Sequence, residues 1–448
     1  MFITLPWNRK HITTQTNTVT DRKASQSTGG QPASATTDIQ PNTATQQDNS
    51  SPSTSRSPQT QSLSEPQQDF NWQTVDLESL KTTGILSTET KKVAGKDITI
   101  QNFSLSDKSA KVSISPELGA NVLGLELAGE KVISSPVLEG KAKGSNVSEM
   151  EGMPLISPPN RTNKSEIYYP DAKGKIQKIK LANHWWNWNK KFEFNQGNMI
   201  HGRMHKEKWS LKEAATNNAG DLQLTYNFNT KDDPILSKKL GFAEFSMTYT
   251  ISKNPETGVP ALKTEVTVTN TGDKKSPNGG LYPLVGLGFH PYFNVDKEAS
   301  FTAPVKEKLE LGEKLIATGK LEDASKDSIN TGRKASKKDG AIDATYTAKP
   351  SPQGEARSTI TQGNGTKIHI DQSREMGFIT VFNGETDKKT GQNKLCIEPL
   401  SCAPNASELQ FKNKASTGGT ALKPNAITLK PEESHRASFT ISLEKNLT

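Results

Sequence analysis

The chain has 448 residues, a net charge of +8 and a hydrophobic content of only 31%. Its basic excess comes from scattered lysines rather than from arginine-rich blocks with interleaved aromatic residues, which argues against a nucleic-acid-binding groove. No apolar run approaches the ~20 residues that a membrane helix needs, and the chain start lacks the features of a signal peptide, so we predict a cytoplasmic protein without a membrane span.

Residues 1–70 differ in composition from the rest of the chain. They are dominated by Ser, Thr, Gln, Asn and Pro and contain few large apolar residues. Such a segment cannot bury enough apolar surface to offset the entropy that is lost on ordering, so we predict a disordered low-complexity tail. A regular apolar pattern begins near Phe70, which predicts one folded domain over residues 71–448.

Strand signals dominate residues 71–448. Apolar and polar residues alternate with a period of two, which places one face of each strand on a core and the other in water. Long helical periodicity is nearly absent, so the pattern predicts an all-β fold, a large antiparallel β-sandwich. The predicted strands are Asp97–Phe103, Ala110–Ser115, Leu222–Phe228, Phe245–Ile251, Leu262–Asn270, Ala299–Ala303, Thr366–Ile370, Phe378–Phe382, Lys394–Glu398 and Ala437–Leu443.

Four segments do not follow the strand pattern. Short helical turns are predicted around Asp76–Lys81 and Glu207–Trp209. Asn163–Lys191 and Glu322–Lys338 are predicted to be long excursions, and loops of such length are either functional or mobile. The first contains two tyrosines and three tryptophans, so it either forms a wall of a ligand site or a buried hydrophobic flap.

Three of the seven histidines stand in surroundings that favour a functional role. His290 precedes a proline, which holds it extended, and its glycine and aromatic neighbours predict a closely packed cleft at a strand end. His201 is followed by a glycine that permits close approach of the backbone, and His205 comes four residues later. His369, in contrast, lies on the polar face of an alternating strand and is predicted to be exposed.

Two carboxylates and one arginine are further candidates. Glu398 ends an apolar strand just before a proline, and burial without a partner would raise its pKa, as a general acid or base requires. Asp343 is the next candidate. Arg161 follows two prolines and an asparagine, and these stiff neighbours suit it to the recognition of hydroxyl or carboxylate groups.

These residues alone leave other chemistries open. His201, His205, His290 and Glu398 could together form a metal site, but the glycine after His201 disfavours a helix there, and no glutamate stands beside His201 as in zinc-protease motifs. No Gly-x-Ser-x-Gly motif supports a serine hydrolase. Each candidate, considered alone, could also be structural.

The candidates fall in six segments, namely Gly152–Arg161, Asn198–Gly202, Trp209, Gly288–Phe293, Asp343 and Ile397–Ala406. In this order and spacing they resemble the aldose 1-epimerase (galactose mutarotase) family, over about residues 150–410. The His-Pro-Tyr-Phe and Glu-Pro…Pro-Asn-Ala motifs are fairly specific in combination. The resemblance implies a galactose mutarotase-like supersandwich that interconverts the anomers of a free hexose and uses neither cofactor nor metal.

The resemblance also implies a role for each site residue. Glu398 would be the general base for the anomeric hydroxyl proton, His290 the general acid for the ring oxygen, and His201 an assisting hydrogen-bond donor. Positioned proton transfer of this kind contributes about 10²–10⁴-fold in rate. The residues implied to hold sugar hydroxyls are Arg161, Asp343 and Asn160.

Departures from the family pattern keep two alternatives open. Arg203 stands where many members have glycine, and Lys206 and Lys208 follow it, so a hexose-6-phosphate mutarotase with a phosphate pocket is one alternative. His205, however, stands where the phosphate-specific relatives keep an arginine. A non-catalytic carbohydrate-binding module on the same fold is the other alternative, and the presence of both acid and base disfavours it.

Overall fold

The computed structural model describes residues 71–93, 96–133, 135–138, 151–157, 161–181, 193–195, 197–386, 393–412 and 422–445. They belong to one unit of internal contacts, Pro66–Thr448. The predicted tail, residues 1–70, lies outside the described residues. In the described part of the chain, no helix is long and apolar enough to cross a membrane.

Strands make up most of the described chain. The first group is β1 (Gln73–Thr74), β2 (Leu86–Val93), β3 (Lys96–Ser104), β4 (Ala110–Ser115), β5 (Asn121–Leu127), β6 (Glu130–Ile133), β7 (Leu155–Ile156), β8 (Arg161–Thr162), β9 (Glu166–Pro170), β10 (Ile176–Lys180), β11 (Glu193–Asn195), β12 (Asn198–Ile200) and β13 (Ser210–Thr216). The second is β14 (Leu222–Asn229), β15 (Ala243–Lys253), β16 (Pro260–Asn270), β17 (Tyr282–Val285), β18 (Gly288–Phe289), β19 (Tyr292–Val295), β20 (Ser300–Thr302), β21 (Val305–Leu311) and β22 (Ala317–Asp323). The third is β23 (Arg333–Lys334), β24 (Asp343–Ala348), β25 (Ala356–Thr361), β26 (Lys367–Gln372), β27 (Phe378–Thr386), β28 (Asn393–Leu400), β29 (Ile427–Leu429) and β30 (Ser434–Glu444).

Two large antiparallel sheets form a sandwich. Neighbouring strands in one sheet follow the order β1-β13-β14-β15-β16-β30-β26-β25-β20-β23. The other has the order β2-β3-β4-β5-β6-β19-β28-β27-β24-β21-β22, and β18 pairs with both β28 and β7. A small ribbon of β11, β12 and β8 lies apart from both sheets. The predicted all-β antiparallel sandwich is confirmed.

The main core lies between the inner faces of the two sheets. In β14, β15 and β16, buried residues alternate with partly exposed ones along almost the whole strand, as expected for a sheet with one wet face. Tyr226 of β14 and Phe103 of β3 are fully buried in the same hydrophobic cluster. The Tyr226 hydroxyl donates a 2.6 Å hydrogen bond to Gln101 of β3, which joins the sheets across the core.

Each predicted strand has a counterpart in the structure, with bounds that differ by a few residues. The helical turn predicted near Asp76–Lys81 is α1 (Leu77–Thr82), which begins after Asp76 because that carboxylate accepts the Ser79 N–H. The second predicted turn is wrong in position, because the helical turn there is Met204–Lys206. A second helix that the sequence analysis missed, α2 (Pro234–Leu240), begins after Asp233.

The aromatic excursion is more regular than predicted. Its described part, residues 163–181, contains the antiparallel hairpin of β9 and β10. Tyr168 and Tyr169 of β9 are 8% and 6% exposed, so this part is a covered flap. The three tryptophans of the segment lie outside the described residues.

Candidate active site

The backbone around His290 is held by a second segment of chain. His290 lies between β18 and β19, and its N–H donates to the carbonyl of Pro154 at 3.1 Å. Beyond the proline, the N–H of Tyr292 donates to the carbonyl of Gly152 at 2.9 Å. Because both sides of the His-Pro step are anchored, the position of the imidazole is fixed by the sheet rather than by a free loop.

Glu398 lies opposite His290, and the two side chains face each other. It belongs to β28 and pairs in register with Thr380 of β27. Its Oε1 is 3.3 Å from Nε2 of His290, and the two side chains are only 2% and 7% exposed. Glu398 Oε2 and His290 Nδ1 are buried and have no hydrogen-bond partner in the part of the chain that the structure describes. Each group therefore keeps unused hydrogen-bonding capacity.

Burial determines the charge of this pair. Burial raises the pKa of Glu398 well above its ordinary value, the charge of Asp343 raises it further, and Arg161 opposes both effects. Burial also lowers the pKa of His290 well below its ordinary value, and His201 contributes in the same direction. The raised carboxyl pKa predicted from the sequence is confirmed. Both pKa shifts favour the uncharged forms, which are a protonated Glu398 and a neutral His290. This uncharged pair shares one titratable proton, and so does the alternative ion pair of an ionised Glu398 and a protonated His290.

His201 approaches His290 from the ribbon. It follows β12 in a left-handed conformation with φ of +57°, and Gly202 continues the turn with φ of +61°. A left-handed backbone costs a non-glycine residue roughly 1–2 kcal/mol and is found more often at functional sites than elsewhere. The turn places the His201 ring edge-on to the His290 ring, with centroids 5.4 Å apart and an interplanar angle of 88°.

Arg161 and Asp343 form the more open side of the site. Arg161 belongs to β8 and Asp343 begins β24. Arg161 Nη2 and Asp343 Oδ2 are 3.7 Å apart, and the side chains are 14% and 42% exposed. This pair is therefore the one that reaches solvent, while the acid–base pair lies beneath it. Asn160, the remaining predicted substrate contact, lies outside the described residues.

Two aromatic rings flank His290 and were missed by the sequence analysis as site residues. Tyr292 stacks on the imidazole at a centroid distance of 4.7 Å and an interplanar angle of 28°. Phe382 of β27 meets it at 6.4 Å in an edge contact, and Phe382 is also the register partner of Asp343. Tyr292 was visible in the His-Pro-Tyr-Phe motif, whereas Phe382 gave no signal beyond strand alternation.

Asn405 holds β8, the strand that carries Arg161, in place through hydrogen bonds. Its N–H donates to the Arg161 carbonyl at 2.6 Å, and its Oδ1 accepts the N–H of Asn163 at 3.2 Å. Its side-chain amide donates to Glu408 at 2.9 Å, and so does that of Asn163. Asn405 has φ of +60°, a conformation that asparagine tolerates better than most residues. The Pro-Asn-Ala motif thus has a structural role beside the site.

Two other candidates lie in the interior. The Arg203 guanidinium is fully buried and forms ion pairs with Glu207 and Asp233, so it is not available to a phosphate in this structure. His205 is fully buried, and burial lowers its pKa well below the ordinary value. Among the described residues, no group of three or more His, Cys, Asp or Glu side chains is arranged to hold a metal ion.

Comparison with known proteins identifies the family of this chain. The family model of aldose 1-epimerase matches residues 101–442, which is most of the described chain. No curated protein sequence matches the chain.

Several solved structures share the fold. A galactose mutarotase-like protein from Clostridium acetobutylicum is 18% identical with a TM-score of 0.61, and the alignment covers 81% of this chain and 100% of that one. A galactose 1-epimerase from Lactobacillus acidophilus is 13% identical with a TM-score of 0.55, covering 80% and 99%. An aldose epimerase homologue from C. elegans is 14% identical with a TM-score of 0.52, covering 80% and 99%. At these identities the structural likeness concerns the fold alone.

Proposed function

This chain belongs to the aldose 1-epimerase family, and from that premise we propose that it interconverts the α and β anomers of a free hexose by acid–base opening and reclosure of the sugar ring. The observation that supports the proposal most strongly is the buried His290–Glu398 pair at 3.3 Å, next to the more open Arg161–Asp343 pair. Opening and closing a sugar ring by proton transfer needs one acid and one base, which this pair would supply.

Glu398 and His290 act on the two oxygens bound to the anomeric carbon. Glu398 takes the proton of the O1 hydroxyl while the C1–O5 bond breaks, and the electron pair that remains on O5 takes a proton from His290. The open-chain aldehyde then rotates about the C1–C2 bond. Reclosure moves both protons back, so the pair holds one proton before and after turnover and the opposite anomer is released.

The surroundings of the pair suit this chemistry. A carboxylate with a raised pKa is a stronger base than a free one, and an imidazolium with a lowered pKa is a stronger acid. His201 would hydrogen-bond the ring or anomeric oxygen from its edge-on position. Arg161, Asp343 and Asn160 would hold sugar hydroxyls, and such orientation is a large part of the catalytic effect of an enclosed site.

Polarimetry tests the proposal directly. Freshly dissolved α-D-glucose and α-D-galactose should reach anomeric equilibrium faster with the protein than in buffer, in proportion to protein concentration. Glucose 6-phosphate serves as the comparison, and we expect a lower kcat/KM for it because the Arg203 guanidinium is buried between two carboxylates. A protein that accelerates no free hexose would contradict the proposal.

A further inference from the structure

We propose that Thr380 is a positioning residue for the proposed base, and that its hydroxyl, backed by Thr345, donates a hydrogen bond to Glu398 when that carboxyl is ionised. The inference rests on the function proposed above and adds to it the groups that hold the charge of the base. The three residues form one row of polar side chains across β24, β27 and β28. Each of them is at most 3% exposed.

Strand register places the three side chains of this row on the same face of the sheet. Thr345 pairs with Thr380, and Thr380 pairs with Glu398, in stretches without a register shift. Directly opposite residues of antiparallel strands point to the same side and have Cβ atoms about 4.5–5.5 Å apart. Val381 and Ile397, which are adjacent along the two strands, belong to the main core, so the row points to the opposite face.

The row borders the candidate active site. Two residues along the strands, the neighbouring row contains Asp343 and its register partner Phe382. The Phe382 ring contacts the imidazole of His290, which in turn faces Glu398. The Thr380 side chain therefore lies on the site face of the sheet, one strand away from the proposed base.

The hydrogen bonds of the row leave one proton available to Glu398. Thr345 Oγ1 and Thr380 Oγ1 are 2.7 Å apart, and either oxygen can be the donor. When Thr345 donates, the hydroxyl proton of Thr380 can point to another acceptor. Glu398 Oε2 is buried and accepts no hydrogen bond from the residues that the structure describes. An ionised carboxyl has about four acceptor positions, so a bond from Thr380 leaves room for His290 and a sugar hydroxyl.

The titratable and charged groups around Glu398 act on it in opposite directions. Burial and Asp343 raise its pKa, Arg161 lowers it, and His201 acts on the pKa of His290. Hydrogen bonds to the ionised form are the other means of stabilising a buried carboxylate. A hydroxyl donor on the neighbouring strand supplies such a bond without bringing a further charge to the pair.

Removal of the Thr380 hydroxyl should make the base harder to ionise. Thr380→Val keeps the shape of the side chain but not the donor, so the pKa of Glu398 should rise. The kcat/KM for α-D-glucose should then fall about tenfold on its plateau, and its alkaline limb should move up by about one pH unit. Thr380→Ser keeps the hydroxyl and should retain the wild-type limb, which separates the donor from the packing. Thr380→Ala also lacks the hydroxyl and replaces Thr380→Val if that variant does not fold.

Thr248→Val is the matched control. Thr248 forms a similar hydroxyl pair with Thr225 at 3.2 Å and is the register partner of Glu265, but this row lies in the other large sheet. Its replacement should leave the pH profile unchanged. Thr345→Val should shift the alkaline limb less than Thr380→Val does. The double variant should shift it no further than Thr380→Val alone, because Thr345 acts through Thr380.

Infrared titration makes the outcome independent of turnover. The carbonyl stretch of protonated Glu398 is identified by its absence in Glu398→Gln, and its loss with rising pH gives the titration midpoint. We expect this midpoint to lie about one pH unit higher in Thr380→Val than in the wild type. Equal midpoints in the two folded proteins would overturn the role of Thr380, whether or not the sugar reaction occurs. A shifted midpoint in a protein that accelerates no hexose would overturn the proposed function alone.

Discussion

Glu398 is almost completely removed from water, since the whole residue is 1% exposed, and one of its carboxyl oxygens has no hydrogen-bond partner in the described structure. An ionised carboxyl in such a place destabilises the folded state, because the pKa is raised on folding. Residues that serve catalysis often carry a cost in stability. At the residue scale, burial suits the proposed role of Glu398 as a base, but it also lowers the stability of the folded protein when the carboxyl is ionised.

Substitution of this residue should therefore stabilise the protein. The pKa of Glu398 is higher in the folded protein than its ordinary value of 4.5. The stabilisation that the protonated carboxyl contributes is therefore complete below pH 4.5 and is lost as the pH rises towards the pKa in the folded protein. Glu398→Gln avoids that loss, so we expect it to be more stable by about 1–2 kcal/mol at alkaline pH and to gain less under acidic conditions.

Thermal unfolding of both proteins at about pH 5 and about pH 8 measures this difference. Glu256→Gln is the matched control, because Glu256 is exposed in a turn and its replacement should change little. A Glu398→Gln protein that is less stable than the wild type at the higher pH would contradict the assignment of Glu398 as a buried, uncompensated carboxyl.

The pH dependence of kcat/KM should report the combined protonation of the His290–Glu398 pair and not the pKa of either residue alone. The proposed reaction needs one proton on the His290–Glu398 pair, so kcat/KM should fall when a second proton is added and when the last one is lost. Because burial lowers the pKa of His290, the acid limb should lie below the ordinary imidazole value of 6.5. Initial rates with α-D-glucose across the pH range measure it, and an acid limb at or above 6.5 would contradict the account.

Single residues were predictable to different degrees. The burial of Glu398 followed from its apolar strand and the proline after it, and its raised pKa is confirmed. The exposure predicted for His369 is wrong, since the residue is only 8% exposed and contacts Thr359 and Glu444 at 3.0 and 3.1 Å. Alternation gives the face of a strand, but the side chains that cover this face come from neighbouring strands and leave no local signal.

At the scale of elements, the short strand β18 positions the proposed acid. Its Gly288 lies between Ile156 of β7 and Leu400 of β28 and pairs with both. An added methyl group would overlap the Leu400 side chain and lie 3.0 Å from Ile156. A side chain at position 288 would therefore push the Leu400 and Ile156 side chains aside, two residues before His290.

Gly288→Ala should therefore damage catalysis more than stability. We expect the crowding to cost about 1–3 kcal/mol of unfolding free energy. A displacement of His290 of the order of 1 Å should lower kcat about 10²-fold. Gly377→Ala is the control, because a methyl group there makes only an ordinary contact with Asn425 at 3.4 Å. Equal rates for the two variants would contradict the role given to β18.

Long and short elements differed in how well they could be predicted. The long strands β14, β15 and β16 have many alternating positions, so their pattern stands out from chance. The two-residue strands β7, β8 and β18 have none, yet they carry or hold the candidate site. These strands form where neighbouring segments of the chain offer unpaired backbone groups, which is a tertiary effect that a local pattern cannot report.

On the scale of the whole molecule, the residues of the site come from distant parts of the chain. His290 and Glu398 meet because β19 and β28 are neighbours in one sheet, and His201 joins them from the separate ribbon. The sequence predicted the fold class from alternation, and the family resemblance supplied the combination of site residues. Neither periodicity nor spacing alone could have predicted the 3.3 Å distance, which depends on strand order.

The domain boundary remains a prediction at this scale. The sequence assigns residues 1–70 to a disordered tail and residues 71–448 to the folded domain. A chain of residues 71–448 should therefore keep the melting temperature and the kcat/KM of the full-length protein, because it retains every buried core residue of the described structure. Calorimetry and polarimetry on both chains measure this. A large drop in melting temperature would show that the tail contributes to the fold.

The most direct test of the proposed proton transfer compares wild type, Glu398→Gln and Glu256→Gln in the anomerisation of α-D-glucose, with calorimetry to verify folding. Loss of one partner in general acid–base catalysis costs about 10²–10⁴-fold, so Glu398→Gln should be slowed by at least 10²-fold while the exposed control keeps the wild-type rate. A folded Glu398→Gln protein that turns over at the wild-type rate would contradict the account.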